Sequence, residues 1–160
     1  MPVAKLREFL DKKHIQYVTI THSAAFTAQG IAAITHIPGK ELAKTVIVNI
    51  DDALAMVVLP ASLHVDLNLV REVTGAKNVS IAPEKDFEHC FPGCELGAMP
   101  PFGNLYDMTV YVDESLTLDQ EIAFNAGSHY ELIKMSYKDF EKLVKPVVVR
   151  VARMRYVAVA

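Results

Sequence analysis

The sequence predicts a single α+β domain built on a mixed, partly antiparallel β-sheet. Helical and strand periodicities alternate along the chain. Several strand candidates follow one another through short turns, which argues against a doubly wound parallel sheet. The 160 residues, 51% hydrophobic and 22% charged, suit one domain with a sizeable core and not a disordered chain.

The elements follow in order. Val3, Leu6, Phe9 and Leu10 form an apolar stripe at helical spacing. Residues 15–21 read as a short strand. Thr27 suits the N-cap of a second helix carrying Ala28, Ile31, Ala32 and Ile34, which Pro38 and Gly39 stop. The runs 44–50 and 53–59 are β-rich, and Asp51 and Asp52 between them suit a tight hairpin turn. Asp66 opens a helix with Leu67, Val70 and Val73 on one face and Gly75 at its end. A strand at 79–82 and a short helix at 83–90, with Pro83 in its first turn, come next. Pro92, Gly93, Gly97, Pro100, Pro101 and Gly103 then break regular structure. Strands are expected at 108–112, 121–125 and 131–135. Ser136 and Asp139 make a capping-box-like start for a last helix bearing Phe140, Leu143 and Val144. The domain is read as residues 1–145. Residues 146–160 form a C-terminal tail in which Arg150, Arg153 and Arg155 punctuate an apolar run. Periodicity leaves that tail open between an edge strand, a partner contact and disorder.

The formal net charge of −3 excludes a protein that grips nucleic acid by charge alone, though not a local patch that meets one RNA end. Residues 1–10 carry Lys5, Arg7 and Glu8 and do not read as a signal peptide. No run approaches ~20 apolar residues, so no membrane partner is expected. Cys90 and Cys94 make no disulfide framework, and a reducing cytoplasm is the expected location.

The chain has no Walker loop, no GxGxxG and no GxSxG elbow. Its histidines, His14, His22, His36, His64, His89 and His129, show no metal-ligand spacing. Cys90 and Cys94 with His89 lack the second half of a zinc site, so no metal or other cofactor is expected. Three segments remain. The loop 94–103, CELGAMPPFG, is stiff where proline fixes φ and open where glycine lacks a Cβ. Its backbone N–H groups suit a developing oxyanion, although the same composition suits a rigid surface turn. Lys44 opens a strand, either as a solvated end or as a phosphate or carboxylate partner. Between two strands, Asn125, Gly127, Ser128 and His129 offer donors and acceptors. His129 suits a substrate ligand or a general base, and the same segment also reads as a plain turn. His22, after a strand, is a lesser candidate of the same type.

Together these pieces resemble the YbaK family and the editing domain inserted in bacterial prolyl-tRNA synthetases. The matching segments are THSAAFTAQ at 21–29, AKTVIV at 43–48, LPAS at 59–62, GAMPPFG at 97–103 and IAFNAGSH at 122–129. The resemblance runs from the first helix to about Val144. It implies a twisted, barrel-like mixed sheet flanked by helices. The implied activity is hydrolysis of the ester joining a wrong amino acid to the terminal adenosine of tRNA. The implied partners are a mischarged tRNA acceptor end and an aminoacyl-tRNA synthetase. Lys44 falls on the family's functional lysine, which meets the terminal phosphate or ribose. Gly97 and Pro101 match its GxxxP loop, whose backbone holds the ester carbonyl. His129 falls near a pocket histidine that affects which side chain fits. Ala98, Met99, Pro100, Phe102, Asn125, Gly127, Ser128 and His22 complete the expected substrate-binding set. The family uses neither metal nor covalent nucleophile. The GAMPPFG loop leaves the subgroup open among alanine, serine, threonine, cysteine and similar small amino acids. A non-catalytic tRNA-end or aminoacyl-binding module of the same fold is the alternative. Lys44 and the loop together favour the enzyme.

Overall fold

The computed structural model describes residues 3–24 and 27–154, without the side chains of Ala28 and Gln29. Arg155 and the matching residues Ala25 and Phe26 lie outside the described residues.

Helix α1 (Ala4–Lys12) buries Leu6 and Leu10 from the predicted stripe. Strand β1 (Tyr17–Thr21) follows. Helix α2 (Ala28–Thr35) starts where Thr27 Oγ1 accepts the Gly30 N–H at 3.0 Å, and it ends at His36 in the left-handed region, before Pro38. Strands β2 (Leu42–Ile50) and β3 (Ala53–Pro60) form the expected hairpin. Asp51 and Asp52 turn it with φ of 47° and 68°, the positive pair that a two-residue type I′ turn requires. A short strand the sequence did not signal, β4 (Leu63–Val65), leads to α3 (Leu67–Thr74). Asp66 Oδ1 caps α3 through the N–H groups of Asn68 and Leu69. Only part of its expected apolar face is covered, since Val70 is buried but Val73 is 41% exposed.

Strand β5 (Val79–Ile81) precedes α4 (Glu84–Phe87), which is shorter than the predicted 83–90. Strands β6 (Thr109–Asp113), β7 (Glu121–Asn125) and β8 (Glu131–Ser136) lie close to their predicted ranges. Helix α5 (Tyr137–Val144) is capped by Ser136 Oγ, which accepts the Asp139 N–H at 3.4 Å. In the tail, residues 147–154 supply two more strands, β9 (Val147–Val149) and β10 (Ala152–Met154).

The main sheet runs β1-β8-β7-β2-β3-β6-β9, with β5 also on β2. The pairs β2/β7, β3/β6 and β6/β9 are parallel and the others antiparallel, which is the mixed α+β sheet expected. The largest core cluster joins one sheet face to α1 and α5 through Leu6, Leu10, Ile122, Phe124 and Phe140. A second cluster gathers Val48, Val57 and Leu59 with Val70 of α3. A third gathers Leu42, Ala123 and Leu132 with Ile31 of α2. Strand β10 pairs with β4, and the tail is held by Asp113. That carboxylate, only 3% exposed, accepts the N–H groups of Val151 at 3.0 Å and Ala152 at 2.9 Å.

Candidate active site

Three chain segments meet at one end of this sheet. The C-terminal end of β7 lies beside the start of β2, in register Leu42↔Ala123 and Ala43↔Phe124. The turn 126–130 joins β7 to β8. The end of β1 faces the start of β8, with Thr21 opposite Glu131, and the His22 N–H donates to Tyr130 O at 2.8 Å.

Lys44 and Asn125 lie two residues beyond Leu42 and Ala123, which share the cluster under α2. Side chains two apart on a strand point to the same face, so Lys44 and Asn125 lie on that face, each one residue past the end of the parallel ladder. Lys44 is half-buried, and burial pushes its ammonium below the usual lysine range. Among the described residues, no carboxylate forms an ion pair with it. Asn125 Oδ1 is buried and accepts no hydrogen bond from a described residue. His22 sits at the same end, with Nδ1 at 2.7 Å from Ser23 O. Since a carbonyl only accepts, Nδ1 carries the proton and Nε2 is the acceptor in the neutral ring.

The glycine-proline loop and the turn form one hydrogen-bonded unit. Glu95 N–H donates to Gly127 O at 2.8 Å, and Gly127 N–H donates to Ala98 O at 2.9 Å. His129 N–H donates to Glu95 Oε2 at 3.1 Å, and its Nε2 lies 2.9 Å from Leu96 O. Gly97 has φ +85°, where L side chains are strained, and a Cβ there would stand 3.4 Å from His129 Cε1. Gly127 is forced by space: at φ +100° its Cβ would stand 2.8 Å from Val3 Cβ. Of the loop donors, the Ala98 N–H is spent on Glu95 O. Among the described residues, the Gly97 N–H meets the thioether of Met99 at 3.2 Å, a weak acceptor.

Gly97 is exposed, whereas Ala98, Met99, Pro100 and Pro101 behind it are buried. Phe102 departs from its expected pocket role. Its ring is 0% exposed and packs against Phe9, Phe124 and Phe140, so it supports the loop from within the core. Ser128 Oγ accepts the Tyr130 N–H at 3.3 Å and so helps to shape the turn. Cys94 Sγ lies 3.7 Å from Tyr106 Oη, and burial pushes the thiol up, which disfavours a thiolate nucleophile. No group of three His, Cys, Asp or Glu among the described residues is arranged to hold a metal ion. Glu95 carries no signal of its own in the sequence, its one cue being its place two residues before Gly97, where the GxxxP loop begins.

The sequence profile of the aminoacyl-tRNA editing domain matches residues 22–143, most of the chain. This protein therefore belongs to the aminoacyl-tRNA editing domain family. Among curated protein sequences, none matches it. Its fold is similar to that of a hypothetical protein of solved structure, at 20% identity and TM-score 0.83 over 93% of this chain and 99% of that one. A candidate trans-editing enzyme for prolyl-tRNA synthetase is similar at 18% identity and TM-score 0.80, over 94% and 96% of the two chains. A candidate signal transduction protein from Marinobacter aquaeolei shares the fold at 16% identity and TM-score 0.73, over 95% of this chain but 31% of that one. No helix among the described residues is long and apolar enough to cross a membrane.

Proposed function

We propose that this chain is a trans-acting hydrolase that deacylates mischarged aminoacyl-tRNA carrying a small side chain. The observation that carries the reading is that the loop with the exposed, positive-φ Gly97 is hydrogen-bonded to the turn following β7, whose end lies beside the start of β2, the strand of Lys44. In this reading the Lys44 ammonium meets the terminal phosphate or ribose, and Asn125 Oδ1 accepts from a ribose or amino group beside it. The Gly97 N–H exchanges the Met99 thioether for the ester carbonyl. Water adds to that carbonyl, the tetrahedral oxyanion collapses, and the ribose oxygen leaves with a proton. The products are free amino acid and uncharged tRNA. A donor aimed at the oxyanion is worth more in the transition state than in the ground state, which is what catalysis requires. A pocket that sorts small side chains discriminates weakly by one methylene, the kind of error that editing removes.

The test is a panel of tRNAs mischarged with alanine, serine, threonine or cysteine, incubated with catalytic amounts of protein. Turnover of at least one supports the hydrolase. Saturable binding with no turnover anywhere in the panel selects a non-catalytic tRNA-end module instead.

A further inference from the structure

The loop 95–98 and the turn 127–129 are tied by four hydrogen bonds, and two of them are made by the main chain alone. The other two depend on the side chains of Glu95 and His129. We propose that Glu95 is a positioning residue: its carboxylate latches the turn to the loop and so fixes the His129 ring as a pocket wall beside Gly97. The proposal rests on the deacylase reading above and adds the residue that sets the pocket's shape.

The Glu95 side chain is 45% exposed, so packing does not require an acid there. Its carboxylate instead satisfies the peptide N–H of His129, a residue only 7% exposed. A buried peptide N–H stripped of its acceptor is costly, so the turn would move to find another partner. The same carboxylate oxygen lies 3.8 Å from His129 Nε2, and Leu96 O lies 2.9 Å from it. Both neighbours are acceptors, so the neutral ring keeps its proton on Nε2. The ring is thereby held in one orientation, with Cε1 at 3.4 Å from the space a Gly97 side chain would take. Selection among small amino acids depends on sub-ångström placement of such a wall, so the latch acts on selectivity as well as rate.

The test compares Glu95→Ala and Glu95→Gln in the full chain. Two substrates are used, tRNAs mischarged with alanine and with threonine, together with thermal midpoints and nitrogen-edited NMR of the His129 ring. Glu95→Ala is expected to lower kcat/KM at least roughly tenfold and to change the ratio between the two substrates, with a midpoint within a few degrees of wild type. Its ring signals should depart from the Nε2–H pattern expected of the wild-type neutral ring. Glu95→Gln, whose amide oxygen can still accept the His129 N–H, should recover most of both effects. Unchanged rate, ratio and ring signals in Glu95→Ala overturn the latch, as does a glutamine variant no better than alanine. If wild type hydrolyses nothing in the panel, the deacylase reading fails. The ring signals of wild type and Glu95→Ala then still decide the latch by themselves, and identical signals overturn it.

Discussion

Lys44 carries a cation into a half-buried position on β2, and burial lowers its pKa. The folded chain then binds that proton less readily than the unfolded chain does. The cost is in force at pH below the folded pKa and fades as pH rises towards the ordinary lysine value. Lys44→Met is therefore expected to keep or raise the thermal midpoint at neutral pH. If the ammonium meets a phosphate, the same variant loses roughly 1.5–3 kcal/mol of charge-assisted bonding, about one to two decades in kcat/KM. A lowered midpoint with unchanged turnover would make Lys44 a structural residue. Gly97 poses the converse case. An alanine there fits beside His129 but must adopt φ +85°, at about 1–2 kcal/mol of strain. Alanine keeps the N–H, but its Cβ crowds the ester or its strained φ shifts the donor, and an oxyanion donor lost to misplacement typically costs ~10²–10³ in rate. Gly97→Ala should therefore show a small drop in midpoint and a large drop in kcat, measured on one preparation. Normal kcat would reduce the loop to a turn.

At the scale of elements, Asp113 decides whether the last two strands are held. Its carboxylate takes the N–H groups of Val151 and Ala152, and it also receives Ser115 through N–H and hydroxyl. Asp113→Ala removes these acceptors inside a buried site, at an expected cost of about 2–4 kcal/mol. For a chain of this length that is a fall of about 5–15 °C in midpoint. Amide exchange at Val151 and Ala152 should accelerate while kcat per folded molecule stays constant. An unchanged midpoint with protected amides would show that strand pairing alone holds the tail. The caps at Thr27, Asp66 and Ser136 were legible in the sequence because each acts within three residues. The turn at Asp51 and Asp52 was legible for the same reason. The Asp113 clamp spans 38 and 39 residues, and the Glu95 contact to His129 spans 34, so neither has a local pattern to read. Phe102 entered the expected substrate-binding set as a member of the matching loop, while the chain there turns inward onto three aromatic rings. Composition shows Lys44, Gly97 and His129 only as residue types, and it is the family resemblance that singles them out. What the sequence lacked was the parallel register of β2 on β7 and the bonds that bring the loop to the turn.

For the whole molecule, a net charge of −3 means that the long-range field does not draw RNA in. Affinity for a tRNA end must then come from a few local contacts, with Lys44 the cation at the candidate site. Each neutralised phosphate releases counterions, and for single strands the logarithm of affinity falls with the logarithm of salt with a slope of about −0.7 per contact. An enzyme that reads only the acceptor end through one or two phosphates should show a slope of roughly −0.7 to −1.4 in kcat/KM. Lys44→Met should flatten that slope by about 0.7 in addition to lowering the rate, whereas a substitution that merely disturbs folding has no reason to change it. Measuring kcat/KM across a salt series for both proteins separates the two. A slope as steep as about −4 corresponds to roughly four to six phosphates and would mean that the domain tracks along the acceptor stem. A slope equal in wild type and Lys44→Met would remove Lys44 from the RNA contact altogether.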